Sequence, residues 1–155
     1  MKEKSNCKQN RESERNTTPL ITAAVRGNQN SVKTLLTYKA DTEGRGTIKV
    51  DDHVVKACTP LWAAAAAGHL NVVQKLISQK AKVERKDLTG STPLRAAAQN
   101  GHLAIVRRLV ENGAAVNALK DDGSTALFPA CYHGHADVVD FLIRKGADVN
   151  IKDKE

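Results

Sequence analysis

Aromatic residues make up 3% of the 155-residue chain: one Trp, two Tyr and two Phe. A core nearly without rings has to be filled by Leu, Val, Ile and Ala. Small side chains let helices approach closely, which favours thin stacked layers over one globule. Cysteine is scarce too. Cys7, Cys58 and Cys131 are odd in number and far apart, so no disulfide framework is expected and a reducing compartment is, the cytoplasm with the nucleus also open. No apolar run reaches the length of a bilayer span, and residues 1–16 hold no hydrophobic stretch of the kind a secretion signal needs, so neither a membrane partner nor export is expected. Phosphate-cradling and nucleophile-elbow motifs (G-x-x-x-x-G-K, G-x-G-x-x-G, G-x-S-x-G) are missing. Asp51 and Asp52 are adjacent acids in a loop, a pattern that ordinary solvation explains. No enzyme and no cofactor is expected.

What is abundant is positive charge: 24 Lys and Arg against 17 Asp and Glu, a formal +7. That balance permits nucleic-acid binding. However, the basic residues are scattered along the chain and rings for base stacking are almost absent, so a solvated basic surface is expected and nucleic acid is not.

"CTPLWAAAAAGHLNVVQKLI" (58–77), "STPLRAAAQNGHLAIVRRLV" (91–110) and "STALFPACYHGHADVVDFLI" (124–143) superimpose without a gap. Thr59, Thr92 and Thr125 recur every 33 residues, as do Gly68, Gly101 and Gly134. A fourth copy, "TTPLITAAVRGNQNSVKTLL" (17–36), lies upstream, with Thr18 placed 41 residues before Thr59. The first interval therefore carries eight extra residues. In each unit a Thr hydroxyl is placed to cap a helix, and in the first three Pro follows at the first helical position, where its missing N–H costs nothing. The alanines let this short helix pack tightly. Gly-His then turns the chain into a second helix whose apolar residues, such as Val72, Val73, Leu76 and Ile77, keep helical spacing. The 33-residue period with T-P-L-x-x-A resembles ankyrin repeats. The expected fold is thus an all-α solenoid of four helix-turn-helix units with projecting hairpin turns.

Residues 1–16 read as a disordered tail and 17–155 as the repeat domain, with units at about 17–56, 57–86, 87–119 and 120–152. The closing "NIKDKE" begins a fifth unit, so a piece of a longer protein is expected. "TIKV" and "HVV" around Asp51-Asp52 read as a longer hairpin held over the inner face, the side on which repeat arrays commonly bind. Pro129 falls early in a helix and is expected to distort the start of the fourth unit. Cys131, His133 and His135 are metal-ligand types, but His135 aligns with His69 and His102, expected to bond within the turn, and Cys131 aligns with the inward-pointing Ala65 and Ala98. No metal site is expected on one helix-turn. Asn117 and Asn150 resemble ankyrin asparagines hydroxylated by an asparaginyl oxygenase, but a hydrogen bond that stabilises the turn is the expected role, and modification would not exclude it.

Trp62 aligns with Ile21, Arg95 and Phe128, a position that varies between copies. The ankyrin resemblance turns it toward a partner, and two roles stay open: contact residue, or cover for a neighbouring helix. With it, Arg95, Gln99, Phe128 and Tyr132 are candidate contacts. The order "TPLITAAVRGN", then "GTIKVDDHVVKACTPLWAAAAAGHLNVVQKLI", then "STPLRAAAQNGHLAIVRRLVENGA" resembles the N-terminal region of the Fem (feminization) family over about residues 17–150. In that family the array is the substrate-recognition domain of a cullin-RING ubiquitin ligase and captures protein C-termini, often ending in Arg. The resemblance implies a peptide site in which the hairpin acid is Asp51 and "STPLRAA" supplies Ser91 and Arg95. The family's second acid falls at Asn100 and its aromatic at Val50, so one charge and one stacking surface are missing. The implied partner is a protein or peptide C-terminus, with a ligase scaffold engaged only through a longer chain. A general ankyrin scaffold is the alternative.

Overall fold

The computed structural model describes residues 16–50 and 53–154, so all but Asn16 of the predicted tail (1–16), together with Asp51, Asp52 and Glu155, lies outside the described residues. Among the described residues are eight helices and one hairpin: α1 (Pro19–Val25), α2 (Gln29–Thr37), β1 (Gly46–Val50), β2 (His53–Cys58), α3 (Pro60–Ala67), α4 (Leu70–Ser78), α5 (Pro93–Gln99), α6 (Leu103–Glu111), α7 (Leu127–Tyr132) and α8 (Ala136–Arg144). The first helix of each unit packs on the next unit's first helix, and the second helices form a parallel outer row. The result is the predicted two-layer helical solenoid.

The local chemistry runs as the repeat dictates. Thr18, Thr59 and Thr92 accept the backbone N–H groups of Ile21, Trp62 and Arg95, each at 3.2 Å, and a proline follows each at the helix start. Ala63, Ala64 and Ala65 are fully buried, so the poly-alanine run is a helix-packing surface. The outer helices bury one apolar stripe each: Val72, Val73 and Leu76 in α4, and Ile105, Val106 and Leu109 in α6. Each such side chain contributes about 1.5–3 kcal/mol by leaving water.

Three hydrogen-bond ladders tie the units together, and the first corrects an expectation. His69, His102 and His135 do not bond within their own turns. Their Nε2 atoms reach back to the carbonyls of Val25, Ala66 and Gln99 in the preceding unit, at 2.9, 3.2 and 3.0 Å. Gly68 shows why glycine precedes histidine. Its φ is +83°, and a Cβ there would lie 2.7 Å from His102 Cε1, so both the backbone and the passing ring demand its absence. In the second ladder, side chains of Glu43, Glu84 and Asn117 accept the N–H groups of Lys82, Ala115 and Asp148 at 2.9, 2.8 and 2.9 Å. Asn117 also donates to Gly146 O at 2.9 Å, the turn-stabilising role anticipated for it. The third joins successive turn tips: Leu88 N–H to Lys56 O, Asp121 N–H to Thr89 O and Lys154 N–H to Asp122 O.

The fourth unit departs from the pattern where Pro129 predicts it. Thr22, Ala63 and Ala96 each donate to the capping threonine's carbonyl at 3.0 Å; Pro129 occupies the equivalent place and has no N–H to give. Helix α7 accordingly starts late, at Leu127, spans six residues and has no side-chain cap bond at Ala126. Cys131 is exposed, contrary to the alignment with buried Ala65 and Ala98. Those alanines are covered by the first helix of the next unit, and no described element lies on that side of α7. Stability in such arrays comes from neighbour contacts. Helix α4 has α2 and α6 beside it, whereas α8 has only α6. Amide exchange measured by mass spectrometry is therefore expected to open 136–144 before 70–78; equal protection of the two would refute this.

The eight-residue excess builds the hairpin. β1 and β2 pair antiparallel, with Gly46 opposite Cys58 and Ile48 opposite Val55. Lys56 and Ala57 thus face the single residue Thr47, a bulge in which Ala57 takes φ +57°. The bulge sharpens the strand's twist and sets Ile48 and Val55 against Ile21, Trp62, Ala66 and Ala96 of the inner helices. The hairpin is therefore roofed onto the inner layer by apolar contact.

Candidate peptide-binding cleft

Beneath the hairpin is a cleft of about 430 Å³. His53, Val54 and Val55 of β2 form one wall, Trp62, Ala66 and Ala96 the floor, and Arg95, Gln99 and Asn100 of α5 the far side. Five of the eight residues singled out from the sequence thus meet here: Trp62, Ser91, Arg95, Gln99 and Asn100. Phe128 and Tyr132 do not line it; Phe128 is half-buried and Tyr132 is 87% exposed on α7. Asp51 lies outside the described residues, two positions before His53 of β2, which lines the cleft.

Trp62 is 6% exposed, and its indole N–H donates to the carbonyl of Ser91 at 3.1 Å. Of its two open roles, cover for the inner helices accounts for most of its surface, and only an edge reaches the cleft. The same Ser91 carbonyl accepts the Asp87 N–H at 2.9 Å. The buried Asp87 carboxylate in turn accepts three bonds, from Thr89 N–H (2.8 Å), the Thr89 hydroxyl (2.9 Å) and Ser91 N–H (2.9 Å). Asp87 holds the loop that positions both Ser91 and the tryptophan. Sequence reasoning missed it, although Asp87-Leu88-Thr89-Gly90-Ser91 carries the signal of a side chain bonding its own backbone two residues on.

Arg95 is fixed by a chain of polar contacts. Its Nη2 donates to the Ser124 hydroxyl at 3.0 Å, Ser124 donates to Asp122 at 2.6 Å, and Lys120 pairs with Asp122 at 2.7 Å. The Lys120 ammonium, aided by the Ser124 hydroxyl and amide, holds the Asp122 carboxyl well below the usual range. Burial lowers the Arg95 guanidinium from its ordinary value, with Asp122 and Asp87 opposing; an arginine stays charged under these conditions. Its Nε is fully buried and has no hydrogen-bond partner among the described residues. A buried donor left unpaired costs about 1–3 kcal/mol, so this atom favours an incoming acceptor. Asn100 instead turns its amide back to Ala96 O at 3.1 Å.

A larger hollow of about 760 Å³ lies on the flank of α1 and α2, lined by Thr17, Pro19, Ala23 and Leu35 among others. Arg26 and the Thr17 hydroxyl, the latter buried without a partner among the described residues, line it too, but five of the residues singled out from the sequence meet in the hairpin cleft, which is the better candidate on that ground. No group of three or more His, Cys, Asp or Glu residues among those described is arranged to hold a metal ion, and His135 already spends Nε2 on Gln99 O. No described helix is long and apolar enough to cross a membrane.

A family model for ankyrin repeats (3 copies) matches residues 1–87 and again residues 61–153. No curated protein matches the chain. The family match reaches the repeats and not the narrower Fem likeness. With the 33-residue period, the paired helices and the three ladders between units, it establishes that this chain belongs to the ankyrin-repeat family.

Proposed function

We propose that this ankyrin-repeat chain, a protein–protein interaction module, captures a peptide C-terminus in the hairpin cleft, as the substrate-recognition part of a cullin-RING ubiquitin ligase. One observation supports this above the others: Arg95 lines the cleft with its Nε buried and, among the described residues, unpaired. A terminal carboxylate supplies the acceptor it lacks, in a charge-assisted bond. The Fem resemblance assigns Asp51 to meet a cationic last side chain. With Asn100 where the Fem pattern has a second acid, uncharged ends are tolerated better than in a two-acid pocket.

Peptides differing only in their last residue, each as free acid and as amide, test the reading. Amidation is expected to weaken wild-type binding by about 1.5–3 kcal/mol, ten- to 150-fold, and to have little effect on Arg95→Gln. Asn100→Asp is expected to strengthen binding of Arg-ended peptides, and Asp51→Ala to abolish their preference. Should the variants bind every peptide as the wild type does, the C-terminus reading fails and a general ankyrin scaffold remains.

A further inference from the structure

Basic residues that look scattered in the sequence are gathered by the repeat onto one face. The second helices and flanking turns of the first three units (28–40, 69–81 and 102–113) carry Lys33, Lys39, Lys75, Lys80, Arg107 and Arg108 against a single acid, Glu111, whereas α8 of the fourth carries Asp137 and Asp140 beside Arg144. Arg108 pairs with Glu111 at 3.7 Å. The other five are exposed and have no carboxylate within 4 Å among the described residues. Charges on the turn edge behave differently: Arg85 meets Glu43 and Lys120 meets Asp122. Arg107 is also held in place, its guanidinium 4.7 Å from the centre of the Phe141 ring.

Between α2 and α4 runs a groove of about 300 Å³ with Val32 and Val72 at its base. Lys33 and Lys75 flank it, and Gln29, Asn30 and Asn71 line it with amide donors. We propose that this outer face docks an acidic polypeptide segment, and that it is a second interaction surface sharing no residue with the hairpin cleft. Charge complementarity selects the occupant. Lysines and amides donate to carboxylates at many spacings, and the row α2–α4–α6 offers them across three units. Nucleic-acid bases find no ring to stack on in the groove. Tyr38 is the one large exposed apolar residue on this face among those described, too little to anchor in a bilayer. The face is independent of the C-terminus reading, because Arg95 lies in the other layer.

The test uses a fluorescent Glu/Asp-rich peptide of roughly ten residues, enough to cross three helices packed 8–10 Å apart. It is amidated, so that the cleft does not compete for its end. Anisotropy is read at about 50 mM salt, where screening is weak, and then at rising salt. Lys33→Glu with Lys75→Glu is expected to weaken binding by about tenfold or more, and Lys49→Glu with Lys56→Glu, the same charge change on the hairpin, by less than about twofold. Arg95→Gln leaves this binding unchanged, which separates it from the cleft. Circular dichroism melting confirms that each variant stays folded. Equal weakening by both double variants overturns the proposal, since net charge alone then explains binding. Absence of wild-type binding at low salt also overturns it. So does tighter binding of single-stranded DNA or of phosphatidylserine vesicles at matched charge, which assigns the face to another class of partner.

Discussion

Trp62→Ala is expected to lower the free energy of unfolding by about 3–5 kcal/mol, the range for truncating a large buried ring. The side chain is 6% exposed amid Ile21, Cys58, Ala63, Ala66 and Ala96, with Ile48 and Val55 of the hairpin above it. Alanine would leave a cavity where three units and the hairpin meet, so the loss falls on the roof of the cleft as well as on the core. Trp62→Phe keeps much of the packing and removes the bond to Ser91 O, and should cost about 1 kcal/mol for that bond plus a smaller cavity term. Because this is the chain's only tryptophan, unfolding has to be followed by circular dichroism in denaturant rather than by intrinsic fluorescence. A loss below about 1 kcal/mol for the alanine variant would show that Trp62 is no part of the core.

Asp87→Ala is expected to cost about 2–4 kcal/mol. Three donors lose their acceptor at once, and two of them, the N–H groups of Thr89 and Ser91, have no described alternative. Bonds to a charged acceptor contribute about 1.5–3 kcal/mol each and do not add fully within one network. Asp87→Asn retains an acceptor oxygen at the same place and should lose about half as much. A double-mutant cycle with Trp62→Phe tests the link through the Ser91 carbonyl, which accepts from both Asp87 N–H and the indole. Coupling above about 0.5 kcal/mol is expected; strict additivity would mean that loop and tryptophan are held independently. Peptide affinity, corrected for the folded fraction, should fall with Asp87→Ala, because Ser91 lines the cleft.

Burial also separates the two described cysteines. The Cys58 thiol donates to Gly46 O at 3.3 Å and is pushed up to about 12, chiefly by desolvation, whereas Cys131 stands in solvent on α7. The alignment assigns Cys131 the buried environment of Ala65 and Ala98. Such an assignment transfers a neighbour along with a position, and the fourth unit lacks that neighbour among the described residues.

Periodicity, capping chemistry and composition determined most of the architecture from the chain alone. Thr-Pro starts, Gly-His turns and the alanine run are local or near-local instructions, and a 33-residue period says that each unit buries its face on the next. The extra eight residues and their β-branched alternation gave away the hairpin, and Pro129 the late start of α7. Contacts between units were decided in three dimensions. The histidines' partners lie 36 or 44 residues away, the Trp62–Ser91 bond spans 29, and the orphaned Arg95 Nε is visible only once Ser124 and Asp122 have been placed around it. The basic outer face follows the same logic: six cations dispersed over 76 residues become one surface because the first three units return their second helices to the same layer. A linear pattern encodes what each segment buries, but the groups it meets across a junction depend on how the units stack.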